Sequence, residues 1–176
     1  MKTNVALIGF MGTGKTAVGK ALAARLGKAF VETDALIERM AGKSIPEIFR
    51  QDGEIAFREM EIAVIKEAAA GENAVIACGG GAVLNKINTD RLKQRAVMVY
   101  LTASPAIILR RTADDKDGRP LLPAEGRAAQ VKELLRFRRP FYEGAADMKI
   151  DTSGLTVAAV AENIVNRLNE DADYRK

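Results

Sequence analysis

At 176 residues the chain fits one domain, and with one cysteine, Cys78, and no histidine it excludes an internal disulfide and leaves a zinc site almost without ligands. The formal net charge of +4 admits nucleic acid or small anions as ligands. The arginines stand beside predicted helix ends and loops, and no lysine-rich tract or aromatic-interleaved strand occurs, which favours phosphate and carboxylate binding. Met1-Lys2-Thr3-Asn4 lacks the apolar core of a signal peptide and no apolar run approaches spanning length. A cytoplasmic monomer with neither membrane nor nucleic-acid partner is the expectation.

Five short β-rich runs alternate with helical patterns: Val5 to Ile8, Ala29 to Val31, Ala74 to Ala77, Val97 to Leu101 and Met148 to Ile150. Val5-Ala6-Leu7-Ile8 and Val97-Met98-Val99-Tyr100-Leu101 are continuously apolar, as strands covered on both faces must be. The pattern predicts a three-layer α/β fold with a five-stranded parallel sheet flanked by helices.

The first strand runs into Gly9-Phe10-Met11-Gly12-Thr13-Gly14-Lys15-Thr16, and an amphipathic helix with Val18, Leu22 and Leu26 follows. Strand, Gly-x-x-x-x-Gly-Lys-Thr and helix in that order make a P-loop, in which backbone N–H groups turn inward on phosphate oxygens. Gly12, Thr13, Gly14, Lys15, Thr16 and Ala17 are therefore predicted to bind the phosphates of a nucleotide, with Lys15 near the β- and γ-phosphates and the Thr16 hydroxyl available to Mg²⁺. A P-loop alone does not choose between motor ATPases, GTPases and small kinases. Asn85-Lys86-Ile87-Asn88 only faintly resembles a guanine-reading motif, because the carboxylate that reads the base is asparagine.

At the end of the second strand, Glu32-Thr33-Asp34 offers two carboxylates at the sheet edge where open α/β folds gather ligands. Asp34 can orient a hydroxyl and accept its proton, and Glu32 can reach a Mg²⁺ shell; the plain alternative for Asp34 is a helix cap. Ser44-Ile45-Pro46-Glu47 is a capping box. A long helix is predicted from Ile55 to Ala70, and early on it Phe57-Arg58-x-x-Glu61 sets an arginine and a glutamate on one face. That pair reads either as an exposed ion pair or as a guanidinium held ready for an anionic substrate group.

Cys78-Gly79-Gly80-Gly81 follows the third strand and predicts either a close backbone approach to a ligand or a tight turn. Ser104-Pro105 caps the next helix. The polar stretch 113–126, with Gly118, Pro120 and Pro123, reads as a surface loop or a mobile lid, and the polar tail 169–176 as a frayed end.

In that order the stations resemble the shikimate kinase family, of nucleoside-monophosphate-kinase-like fold, over nearly the full length. They are the P-loop, the acidic pair Glu32 and Asp34, Phe57-Arg58-x-x-Glu61, Gly79-Gly80-Gly81, Arg119-Pro120-Leu121-Leu122, and Arg138-Arg139-Pro140-Phe141-Tyr142. The resemblance implies ATP-dependent phosphorylation of the shikimate 3-hydroxyl, in chorismate and aromatic amino acid biosynthesis. It implies Asp34 on the ring hydroxyls, Arg58 and Arg138 on the substrate carboxylate, Gly79, Gly80 and Gly81 presenting N–H groups, and Met11, Phe49 and Phe57 walling the ring. It also implies lid Arg119 closing over the ATP phosphates, Arg111 against adenine, and Mg²⁺ at Thr16 and Glu32, so that Asp34, Lys15 and Arg119 carry catalysis. Three departures stand out: Glu32 occupies a usual aspartate position, Asp151 to Leu155 lacks an arginine that some members have, and spacing alone selects Arg138 over Arg139.

Overall fold

The computed structural model describes residues 1–113 and 126–174. Residues 114–125 of the expected lid, Arg119-Pro120-Leu121-Leu122 among them, lie outside the described residues. In chain order the elements are strand β1 (Asn4–Ile8), helix α1 (Lys15–Leu26), β2 (Ala29–Glu32), α2 (Thr33–Ala41), α3 (Ile45–Gln51), α4 (Gly53–Ala70), β3 (Ala74–Ala77), a 3₁₀ turn (Ala82–Leu84), α5 (Lys86–Arg95), β4 (Ala96–Thr102), α6 (Pro105–Arg111), α7 (Arg127–Ala145), β5 (Met148–Asp151) and α8 (Val157–Glu170).

The strands form one sheet in the order β2-β3-β1-β4-β5, every pairing parallel. Alternation along β1 and β4 divides the core between the two faces. Val5, Leu7, Val97, Val99 and Leu101 pack with Leu22 of α1 and Ile164 of α8. Ala6, Ile8, Met98 and Tyr100 pack instead with Ile65 of α4, Leu92 of α5 and Val131 of α7. Both faces being covered, these strands need no polar alternation, which is why they read as continuous apolar runs. A third cluster of Ile37, Ile48, Phe57 and Val64 joins α2, α3 and α4 into a wall beside the carboxyl edge of the sheet.

Local signals act where the sequence puts them. Ser44 and Glu47 close the capping box of α3, with the Ser44 N–H donating to the Glu47 carboxylate at 2.9 Å. Ser104 caps α6 by accepting from the Ile107 N–H at 3.3 Å. Asn85 caps α5, accepting from the Ile87 N–H at 3.0 Å, and buried Asn88 donates to the Ala82 carbonyl, so this segment is helix punctuation and not a base reader. Helix α4 begins two residues earlier than its apolar period indicates, at Gly53, which carries φ +84°.

The tail differs from expectation. Helix α8 continues to Glu170, and the chain then returns to the start of the molecule: the Lys2 N–H donates to the Asp173 carbonyl at 2.7 Å and Lys2 bridges to Tyr174. Tyr174 is buried against the second core cluster, with the Lys28 ammonium 5.1 Å from its ring centroid. One aromatic residue thus pins a polar segment whose composition alone predicts fraying.

Candidate active site

With β1 central and the strand order turning back around it, the carboxyl ends of the strands open into one cleft of about 980 Å³. That is large enough for a nucleotide's phosphates and a small second substrate together.

The phosphate side is built from backbone. Gly9, Gly12 and Gly14 take φ of +145°, +74° and +92°, conformations that a side chain would strain, and a Cβ on Gly9 would run into the Leu101 carbonyl. Gly14 is the left-handed cap of α1, so the helix N-terminus and the loop amides face the same space. Thr13 is buried and donates to the Phe10 carbonyl at 2.7 Å, fixing the loop from inside. Lys15 lies along the loop, its ammonium 2.8 Å from the Gly9 carbonyl and 2.9 Å from that of Phe10. The Thr16 hydroxyl donates to Glu32 Oε1. Gly12, Thr16, Ala17 and Glu32 all line the cleft.

The acceptor side is built from side chains. Asp34 stands in the first turn of α2, whose cap position is Glu32, so it is not the capping residue that its spacing allowed. Arg58 donates through Nη1 to Glu61 Oε2 at 3.0 Å and through Nη2 to Glu54 Oε1 at 3.1 Å. The Arg58–Glu61 pair is no exposed ion pair, because Glu61 is 1% exposed. Burial raises the Glu61 pKa; Arg58 opposes the shift and the neighbouring Asp34 carboxylate adds to it. Arg138 is 4% exposed and lines the cleft, whereas Arg136 and Arg139 point to solvent. Phe49 and Phe57 pack with tilted rings, centroids 4.7 Å apart, and with Met11 give the cleft its apolar wall.

Gly79, Gly80 and Gly81 reach the same place for a reason the sequence did not state. None carries a positive φ. A Cβ at Gly79 would lie 2.6 Å from Asp34 Oδ1 and 3.1 Å from Glu61 Oε1, and one at Gly81 would collide with the Arg58 guanidinium. The close approach is therefore by the site's own charged side chains. The Gly79 N–H donates to the Thr33 hydroxyl at 2.9 Å, so this amide, expected to face a ligand, is engaged within the fold. Cys78 is buried beneath the loop, and burial with Glu61 nearby pushes its thiol up to about 12, which leaves an inert packing residue.

Sequence reasoning passed over two positioning groups on this side. Tyr142, quoted in a motif without a role, donates its hydroxyl to the Gly80 carbonyl at 2.5 Å, and burial pushes its pKa up to about 12. Thr33, hidden between two acids, ties β3 to the glycine loop by donating to Ala77 and accepting from Gly79. The available signal for Tyr142 was its place four residues after Arg138, on the same face of a predicted helix; Thr33 gave none. At the far end of the cleft, Arg111 closes α6 and reaches back to the Gly12 carbonyl at 3.2 Å.

A P-loop, a carboxylate beside it, and two arginines at an apolar wall define a phosphoryl-transfer enzyme of the P-loop kinase class acting on a small anionic acceptor. Comparison with known proteins narrows the class. A family model described as shikimate kinase matches residues 11–169. A shikimate kinase of Pelotomaculum thermopropionicum is 45% identical, covering 95% of this chain and 96% of its own, and one of Caldanaerobacter subterraneus subsp. tengcongensis is 47% identical, covering 92% and 94%. Among solved structures, shikimate kinase from Acinetobacter baumannii in complex with shikimate superposes with a TM-score of 0.93 at 38% identity, covering 98% of this chain and 96% of that one. The Aquifex aeolicus enzyme gives 0.83 at 34%, covering 97% and 98%. The chain belongs to the shikimate kinase family.

Proposed function

We propose that this protein transfers the γ-phosphoryl group of ATP to the 3-hydroxyl of shikimate, forming shikimate 3-phosphate and ADP in the route to chorismate and aromatic amino acids. The observation that carries the reading is the convergence of Asp34, Arg58 and Arg138 on one cleft continuous with the P-loop. Shikimate is an anionic triol, and this set matches it: two guanidiniums for the carboxylate, a carboxylate for the hydroxyls, and Met11, Phe49 and Phe57 for the ring face.

In the reaction the 3-hydroxyl oxygen bonds to the γ-phosphorus as the bond to the β,γ-bridging oxygen breaks, and the hydroxyl proton passes to Asp34 and then to solvent. Asp34 aligns the attacking oxygen, while Arg58, braced by Glu54 and Glu61, holds the far end of the substrate. Lys15 and the P-loop amides neutralise charge on the transferring group. The resemblance gives Arg119 the same task from outside the described residues.

Mg²⁺ fits the juxtaposition of the Thr16 hydroxyl and the Glu32 carboxylate, two hard oxygens side by side at the cleft. Among the described residues no group of three or more His, Cys, Asp or Glu gathers to hold a metal by itself. When bound, the ion would offset charge on the β- and γ-phosphates. Among the described residues, no helix is long and apolar enough to cross a membrane. The reading is of a cytoplasmic monomer without a nucleic-acid partner.

The test is ADP formation with shikimate, gluconate and nucleoside monophosphates offered in turn. Turnover that depends on shikimate and not on the others is expected; equal ADP formation with gluconate or a nucleoside monophosphate would overturn the assignment.

A further inference from the structure

Thr152 follows β5 directly and is 2% exposed. Its hydroxyl accepts from Arg111 Nη1 at 2.9 Å and lies 3.1 Å from the Thr13 carbonyl and 3.0 Å from the Thr102 carbonyl, either of which can take its single proton. Its own carbonyl accepts from Arg111 Nη2 at 2.9 Å. Two parallel bonds thus clasp the guanidinium like a carboxylate fork, with neutral oxygens in place of charged ones. The Thr152 N–H donates to the Thr102 carbonyl at 2.8 Å, so the clasp is rooted in the end of β4.

Without that clasp Arg111 would be a long side chain at the last residue of a seven-residue helix, retaining one bond to the Gly12 carbonyl and free to change rotamer. Asp151 to Leu155 supplies no cation of its own, and among the described residues Arg111 is the guanidinium that lines this end of the cleft. The Thr152 hydroxyl also touches Thr13 inside the P-loop, so a single buried group joins the phosphate cradle to the arginine.

We propose that Thr152 is a positioning residue for nucleotide binding: it sets the plane of the Arg111 guanidinium, and the base of ATP lies against that plane. The inference rests on the reading that Arg111 faces the adenine. A hydroxyl is needed at this position because it must accept from the arginine and donate to a carbonyl at once; valine has the same shape and can do neither.

The experiment is calorimetric titration of ADP, and separately of shikimate, into the wild type, Thr152→Val, Thr152→Ser, Arg111→Ala and the double variant Thr152→Val/Arg111→Ala. Thr152→Val should weaken ADP roughly tenfold, the effect of losing a bond to a charged partner, while Thr152→Ser stays within about twofold and shikimate affinity is unchanged. In the Arg111→Ala background the valine substitution should cost less than about twofold, since its route of action is gone. Full additivity of the two substitutions, or an equal loss of shikimate affinity, would overturn the inference. An Arg111→Ala variant that binds ADP normally would remove the adenine reading and the inference together, whereas weakened binding in Arg111→Ala with no effect of Thr152→Val removes the inference alone. Thr152→Ala carries the same cycle if the valine variant does not fold.

Discussion

Gly9, Gly12 and Gly14 all hold positive φ, whereas Gly79, Gly80 and Gly81, at the end of the strand next to β1, hold none. The first set bends the backbone so that amides converge on phosphate. The second makes room: the atoms a Cβ would strike belong to Asp34, Glu61 and Arg58, from α2 and α4. One half of the cleft is thus a property of a local stretch of chain. The other is an assembly of charged side chains brought together only by folding. A backbone-built half should tolerate changes in the other half, and a side-chain-built half should be sensitive to single atoms.

The sharpest way to break that division is Asp34→Asn. It should lower kcat by about 10²- to 10⁴-fold, the usual contribution of a positioned acid or base, with ATP affinity within about twofold of the wild type. An undiminished rate would remove Asp34 from the chemistry. Lys15→Met attacks the other half and should cost about 10²- to 10³-fold in kcat, as losing one preorganised charge does, while calorimetry finds shikimate binding intact. Loss of shikimate affinity in that variant would show the halves to be one unit.

Glu61 allows a subtler test through stability. Because burial raises its pKa above the ordinary glutamate value of 4.5, the folded state holds a proton that the unfolded state releases sooner. The wild type therefore loses stability relative to Glu61→Gln as pH rises from about 4.5 through the raised value, and the gap is constant above it. Denaturant melts across pH 4 to 8 should show the gap moving in favour of glutamine; a flat difference would mean that Glu61 titrates normally. The smallest effect belongs to a control far from both halves. Thr156 caps α8 by accepting from the Ala159 N–H at 3.2 Å, so Thr156→Ala should lower stability by about 1 kcal/mol and leave both ligands' affinities unchanged.

The same division explains what the sequence made legible. All five strands were readable to within a residue or so: β1, β3 and β4, covered on both faces, leave a continuous apolar signature, while the edge strands β2 and β5 are only partly buried and show as short β-rich runs between helical patterns. The P-loop was readable because its geometry demands glycine at fixed spacing within eight residues. The acceptor half was readable only as scattered short motifs. Spacing to Pro140 and Tyr142 was all that favoured Arg138 over Arg139; burial separates them physically, because only one face of α7 looks into the cleft and Arg138 stands on it. Nor could it show that Glu61 is buried, that Tyr142 holds the Gly80 carbonyl, or that Thr152 clasps Arg111, since each partner lies 40 residues or more away along the chain in the latter two cases. The tail failed for a similar reason: its polar composition is genuine, and one long-range contact through Tyr174 outweighs it.

Gly81→Ala tests the division most directly, because it adds one methyl group at the point where Arg58 crosses the glycine loop. Calorimetric titration of the variant with shikimate and with ADP should show shikimate affinity reduced by tenfold or more, the displaced guanidinium having lost its place, with ADP affinity within about twofold of the wild type. Unchanged shikimate binding, or a parallel loss of both ligands, would contradict an acceptor site assembled from side chains beside an independent phosphate cradle.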